Sequence, residues 1–164
     1  MSSTAVRVNC KVFEAASSQG DDVELNAKGR YAVMAMADLA RHGADGAVAL
    51  SGIAERQRIS PAFLEQIFLK LRRAGLVESE RGRAGGYKLA RPAAAIAVGE
   101  VMLAAEEPVE MTRCAGEGLA GCIGHERCLT HDLWDALSIQ IREYLQDVSL
   151  QDVLDGKVRR ERLQ

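Results

Sequence analysis

The 164-residue sequence has no apolar run long enough to cross a bilayer, because a membrane-spanning helix needs about 20 consecutive apolar residues. It also lacks an apolar export segment, since residues 1–22 mix charged residues with Ser and Gly. We find no phosphate-binding loop, no nucleophile paired with a base and no internal repeat. These absences lead us to expect a cytoplasmic protein that is not an enzyme and has no membrane partner.

The sequence does contain enough apolar residues for one core, and its charge is unevenly distributed. Hydrophobic residues make up 48% of the chain, which predicts a single small domain. Residues 25–91 carry twelve Lys or Arg and six Asp or Glu, a local balance of +6, whereas residues 92–156 carry three and twelve, a balance of -9. The first segment suits a polyanion such as DNA, and the second would repel one.

The chain divides into four segments where its character changes. Residues 1–24 are polar and aperiodic, which predicts either a disordered leader or a true translation start further along the chain. Cys10 within this segment is expected to be an inert exposed thiol. We expect a winged helix-turn-helix over residues 25–91, a cysteine-containing loop and a long helix over residues 92–156, and a tail over residues 157–164. The predicted fold is therefore mainly α with a small β wing.

Capping residues and helical periodicity predict the first two helices of the basic segment. Asn26 can cap the first helix, and Gly43 ends it. Ser51 can cap a short second helix over residues 52–57. A short helix followed by a tight turn is typical of the first half of a helix-turn-helix.

A third helix and a β wing follow. Ser60 is the predicted N-cap of this helix, Pro61 takes its first position and Gly75 ends it. Its apolar residues recur at intervals of three and four: Phe63, Leu64, Ile67, Phe68 and Leu71. Residues 76–81 and 87–89 then predict two strands around a glycine-rich basic tip.

This arrangement predicts DNA binding through the third helix, whose exposed N-terminal residues would lie at the floor of a major groove. Glu65 could accept a hydrogen bond from the amino group of cytosine, and Gln66 could pair with adenine. The candidate base-reading residues are Ser60, Ala62, Phe63, Glu65 and Gln66. The candidate phosphate-neutralising residues are Lys28, Arg30, Arg72, Arg73, Arg81, Arg83 and Lys88.

The acidic segment combines two predicted helices with a loop of potential metal ligands. Helices are expected over residues 98–106 and 132–146, on either side of a loop at residues 107–129. The longer helix has an apolar stripe formed by Leu133, Trp134, Leu137, Ile141, Tyr144 and Leu145. The candidate ligands follow one another at intervals of seven, five and two residues: Cys114, Cys122, Cys128 and His131.

Three thiolates and an imidazole fit two metal chemistries. Iron-sulfur clusters favour Cys thiolates, and a His ligand raises their reduction potential. Zinc is also held by Cys3His sets, and this spacing is close to that of zinc-stabilised RNA-binding modules, although the loop has no aromatic residue on which a base could stack. His125 could compete with His131 as the fourth ligand. A metal-free thiol redox sensor is a third possibility.

Several motifs together resemble the IscR-type iron-sulfur regulators of the Rrf-two winged-helix family, over roughly residues 25–154. The matching stretches are KGRYAV at residues 28–33, IAERQ at 53–57, FLEQIF at 63–68, RG at 81–82 with GGY at 85–87, IAVGEV at 96–101 and CLTH at 128–131. An ordered set of this kind is far more specific than any one motif.

The resemblance implies a homodimer that binds a palindromic duplex operator, with the long C-terminal helix as the dimerisation helix. It implies a 2Fe-2S cluster held by the three loop cysteines and His131 and supplied by the iron-sulfur assembly machinery. It adds Tyr31 and Gly82 to the DNA-binding set and makes Glu65 a base-reading residue. The implied function is repression of iron-sulfur assembly or iron homeostasis genes. Because the first cysteine interval is seven, as in RirA-like members, a 4Fe-4S sensor of iron or nitric oxide, like RirA or NsrR, stays open.

Overall fold

The computed structural model describes residues 27–82, 85–105 and 129–158. These residues form helices, one antiparallel sheet of two strands and a 3-10 turn, so the predicted mainly α fold with a small β wing is confirmed. In chain order the elements are α1 (Ala27–His42), α2 (Leu50–Gln57), α3 (Pro61–Arg73), β1 (Val77–Glu80), β2 (Gly86–Leu89), the 3-10 turn (Ala93–Ala95), α4 (Val98–Ala104), α5 (His131–Asp147) and α6 (Leu150–Leu154).

The core is built around α1, which packs against helices from both halves of the chain. Its buried residues recur at intervals of three and four, as expected for a helix with one apolar face, and the contacting helices are α2, α3, α4 and α6. The fully buried apolar residues of α1 are Ala32, Ala35, Met36 and Leu39. This packing holds α3 against α1 with its opposite face uncovered.

The helix boundaries follow the local signals, with one exception. Ser60 is the N-cap residue of α3 with Pro61 at its start, and Gly75 follows its end with a φ of 71°, as predicted. The predicted capping by Ser51 is wrong, because α2 begins at Leu50 with Ala49 as its N-cap residue. The chain before α2 is fixed by a β bridge between Val48 and Tyr87, so it turns into the helix immediately afterwards.

The wing is a short antiparallel hairpin with a fixed register. Val77 pairs with Leu89, and Glu80 pairs with Gly86 at the tip end. A Cβ on Gly86 would collide with the carbonyl group of Val48, so glycine is required where β2 approaches the segment before α2. The predicted strands are therefore confirmed, and the base of the wing is attached to the helix-turn-helix.

The beginning of α4 is joined to the junction between α5 and α6. The Val98 backbone N–H donates to the Val148 carbonyl at 2.8 Å, and a Cβ on Gly99 would lie 2.8 Å from the Gln146 side chain. The carboxylate of Glu100 accepts hydrogen bonds from the Ala97 backbone and from Arg91, and these lower its pKa. The C-terminal end of α5 is thereby held against the domain.

Some predictions concern residues outside the described ranges. These are the leader at residues 1–24, the capping by Asn26, Arg83 at the wing tip, the loop cysteines and residues 159–164 of the tail. Among the helices that the structure describes, none is both long and apolar enough to span a bilayer.

Candidate nucleic-acid interface

The third helix has one buried and one exposed face. Its buried residues are Leu64, Ile67, Phe68 and Leu71, all at most 3% exposed. Ser60, Glu65 and Gln66 are exposed on the other side, and Phe63 is half-buried at the edge. No hydrogen bond to another described residue engages the side chains of Glu65 and Gln66, so their polar groups are available to a ligand. The predicted base-reading residues therefore lie together at one end of α3.

The turn between α2 and α3 is tight and is fixed by backbone hydrogen bonds. Arg58 adopts a left-handed conformation with φ 54°, the one non-glycine residue with positive φ in the described chain. The next residue, Ile59, is buried and its N–H donates to the Ala54 carbonyl at 3.0 Å. This turn places the start of α3 beside the end of α2, as a helix-turn-helix requires.

A buried carboxylate connects α1 to α2. The Nε of Arg56 donates to both oxygens of Asp38 at 3.1 Å, its Nη2 donates at 2.6 Å, and the Gln57 amide donates at 2.7 Å. Burial alone would raise the pKa of Asp38, but the hydrogen bonds from Arg56 and Gln57 outweigh it and keep the pKa below its ordinary value. We name this set the Asp38 cluster; it fixes α2, and with it the turn into α3.

The Asp38 cluster was not predicted from the sequence. The available signal was a charged residue on the apolar face of α1, since Asp38 lies three residues after the buried Ala35. A carboxylate on such a face needs a partner, but the partner is 18 residues away.

Aromatic contacts join the starts of α1 and α3. The rings of Tyr31 and Phe63 meet edge to face with centroids 5.8 Å apart, and the Arg30 guanidinium lies 5.4 Å from the Tyr31 ring centre. Lys28 lies one helical turn before Tyr31 and is exposed, as is Arg30. Three predicted DNA-binding residues, Arg30, Tyr31 and Phe63, therefore lie together beside the start of α3.

The wing contributes cations that differ in their surroundings. Arg81 and Gly82 are exposed at its tip, where Gly82 has a φ of 117°, and Arg83 lies outside the described residues. Lys88 forms ion pairs with Glu80 at 2.7 Å and Glu78 at 3.6 Å, and the hydrogen bond to Glu80 raises its pKa. Arg81 forms no ion pair with any described residue, so it is better suited than Lys88 to meet a phosphate.

The candidate metal ligands are only partly within the described chain. His131 is the first residue of α5 and is 6% exposed, whereas Cys114, Cys122 and Cys128 lie outside the described ranges. Within those ranges, no three potential ligands lie close enough together to hold a metal ion. The donor set of three thiols and one imidazole suits a cluster or zinc, and it would lie where the loop joins α5.

The apolar stripe of α5 is partly exposed within the described chain, since three of its six residues are exposed and the other three are half-buried. Leu133 is 61%, Leu137 36% and Tyr144 43% exposed. The buried residues of this helix are instead polar, namely His131 and Ser138. Exposed apolar side chains grouped along one side of a helix are typical of a protein interface.

The sequence is similar to transcriptional regulators of one family. It matches the Rrf2 family, described as "Iron-dependent Transcriptional regulator", over residues 25–156. It is 51% identical over 135 residues to an HTH-type transcriptional regulator of Neisseria meningitidis, covering 82% of this chain and 90% of that one. It is 50% identical over 135 residues to the regulator IscR of Yersinia enterocolitica, covering 82% and 81%.

Solved structures of similar regulators share the fold. IscR of T. potens superposes with a TM-score of 0.66 at 36% identity, covering 86% of this chain and 91% of that one. CymR, the global cysteine regulator of B. subtilis, superposes with a TM-score of 0.68 at 31% identity, covering 81% and 97%. These proteins are regulators of transcription, which confirms the expectation that the chain is not an enzyme.

Proposed function

Because this chain belongs to the Rrf2 family of iron-dependent transcriptional regulators, we propose that it binds palindromic operators as a homodimer and that an iron-sulfur cluster controls which operators it occupies. The resemblance noted in the sequence motifs is thereby confirmed. The observation that carries the proposal is the exposed polar face of α3, which is bordered by cations on α1 and on the wing.

Base reading is assigned to the N-terminal part of α3. In a major groove, Glu65 would accept a hydrogen bond from cytosine, and Gln66 would pair with adenine, with Ser60 beside them. A carboxylate near phosphates weakens affinity electrostatically, so Glu65 would serve discrimination between sequences.

Affinity is assigned to the cations that border α3. Lys28 and Arg30 would neutralise phosphates on one side, with Tyr31 and Phe63 holding Arg30 in position. Arg81 and Arg83, around the turn at Gly82, would do so on the other side. Two such sites related by a two-fold axis match a palindromic operator.

The dimer interface is assigned to the apolar stripe of α5. Its residues would be buried against the same stripe of a second copy, because a closed two-fold dimer uses one surface on both subunits. The acidic half would then lie between the two DNA-binding heads, away from the phosphates.

The cluster is assigned to Cys114, Cys122, Cys128 and His131. A bound cluster supplies redox and iron-dependent chemistry, and His131 would connect it to the first turn of α5. We assign a 2Fe-2S cluster obtained from the iron-sulfur assembly machinery, and control of iron-sulfur assembly or iron homeostasis genes. The seven-residue interval between Cys114 and Cys122 favours, as a second candidate, a 4Fe-4S sensor of iron or nitric oxide.

Anaerobic purification tests the cluster assignment. We expect a coloured protein with equal iron and sulfide, whose absorption and electron paramagnetic resonance spectra identify the nuclearity. Cys122→Ala should abolish the colour and the cluster-dependent change in operator binding, whereas Cys10→Ala, in the predicted leader, should retain both. A colourless protein with stoichiometric zinc and unchanged operator binding would contradict the assignment.

A further inference from the structure

An exposed leucine lies within the polar face of α3. Leu69 is 41% exposed, whereas the apolar residues that attach α3 to the core, such as Leu64 and Phe68, are fully buried. The outer part of the Leu69 side chain is therefore not needed to attach α3 to the domain.

The surroundings of Leu69 on the helix surface are polar. Residues three and four positions apart are neighbours on a helix surface. For Leu69 these are Glu65 and Gln66 before it and Arg72 and Arg73 after it, and all four are exposed. An apolar side chain among them gains nothing from contact with water. It gains free energy only when a bound partner offers it an apolar group.

We infer, on the basis of the proposed function, that Leu69 contacts the 5-methyl group of a thymine and so specifies a T·A pair beside the base pairs read by Glu65 and Gln66. The thymine methyl is the apolar group that base edges present in the major groove. From Glu65 to Leu69 the helix advances about 6 Å, which is about two base-pair steps of roughly 3.4 Å. The thymine therefore lies within about two base pairs of the one that Glu65 reads.

Deoxyuridine substitution tests this contact, because uracil differs from thymine by the methyl group alone. The full-length, cluster-loaded protein first selects its operator from random duplexes, and each thymine of the selected sequence is then replaced in turn. At one thymine of each half-site, we expect deoxyuridine to weaken binding by about fourfold, which is the change in affinity expected for the loss of one buried methyl group.

The Leu69→Ala variant distinguishes a direct contact from an effect on the DNA. It should bind the unmodified operator about fourfold more weakly per half-site and lose no further affinity when that thymine is replaced by uracil in a deoxyuridine. The matched control Leu69→Met keeps an apolar side chain and should keep the uridine effect. Both substitutions are on the surface, so the thermal unfolding midpoint should not change.

Three results would overturn the inference. Equal uridine effects in the wild type and in Leu69→Ala at every thymine would exclude the contact. A Leu69→Ala protein that sediments as a monomer and binds every duplex more weakly would assign this residue to an interface between copies of the chain. A wild-type protein that selects no duplex sequence would instead refute the proposed function itself, and with it this contact.

Discussion

The two halves of the described chain differ in how completely they bury apolar surface. We call residues 27–91, which contain the helix-turn-helix and the wing, the reading half. Among its described residues, Leu69 is the one large hydrophobic residue that is exposed. In the sensor half, residues 92–158, such residues are frequent, and the examples on α5 are Leu133, Leu137, Ile139 and Tyr144. The reading half therefore buries its large apolar side chains within the described chain, whereas α5 leaves several of its own exposed.

Charge separates the two halves in the same way. The reading half contains most of the basic residues and the sensor half most of the acidic ones. In the sensor half, α5 also buries two polar residues, His131 and Ser138, while Leu133 and Leu137 are exposed. The comparison supports the proposal that one half meets DNA and that the other meets a second copy and a cluster.

The largest expected effect comes from a charge within the α5 stripe. Leu137→Glu would place a carboxylate in each copy of an apolar interface, so we expect dimerisation to weaken by about a thousandfold, or about 4 kcal/mol. Sedimentation velocity over a range of concentrations measures this. The helical circular dichroism signal of the protein should not change, because the reading half stays folded.

Ile139→Glu is the matched control for Leu137→Glu. Ile139 is similarly exposed, at 38% against 36%, but it lies about 200° around the helix from Leu137. Its substitution should leave the dimer intact. If both variants dissociate equally, or neither does, the stripe is not the interface and the contrast between the halves needs another explanation.

The next effect concerns the Asp38 cluster, the buried polar site of the reading half. Arg56→Ala leaves the Asp38 carboxylate buried without its main partner, so we expect the free energy of unfolding to fall by about 3 kcal/mol near neutral pH. Urea unfolding measures the loss. Arg91→Ala removes the exposed pair with Glu100 and should cost at most about 1 kcal/mol.

The same pair predicts a pH dependence. Because pairing lowers the pKa of Asp38, the pair stabilises the fold above the ordinary carboxyl pKa of about 3.9, and this contribution is lost as the pH falls through the lowered value. The difference in stability between the wild type and Arg56→Ala should therefore shrink in acid. A difference that stays constant from neutral pH to pH about 3 would exclude Asp38 as its source.

The parts of the fold that could be predicted from sequence depend on short-range signals. Ser60 with Pro61 and the glycine at position 75 specify the ends of α3 through backbone geometry alone. The start of α2 depends on a bridge between Val48 and Tyr87, a contact between distant segments, so the local signal at Ser51 predicts the wrong cap.

The candidate site also contains some features that the sequence predicts and others that it does not. Arg30, Tyr31 and Phe63 are predicted from the sequence and the resemblance as DNA-binding residues, and the structure brings them together. The spacing of apolar residues in α3 already leaves Leu69 off the buried face, and the structure has it exposed. The partners of Asp38 depend on how α1 and α2 pack, which residue spacing does not contain. The cluster ligands remain a prediction, since the loop cysteines lie outside the described residues.

The smallest expected effect tests whether the turn between α2 and α3 holds backbone strain. Arg58 has a φ of 54°, a conformation that costs an L-residue about 1 kcal/mol and glycine almost nothing. Arg58→Gly should therefore raise the free energy of unfolding by about 1 kcal/mol. Arg58→Ala removes the same charge but keeps the Cβ, so it should give no such gain. If the two variants have the same free energy of unfolding, the side chain and not the backbone conformation determines the stability of this turn. The turn of the reading half would then hold no backbone strain.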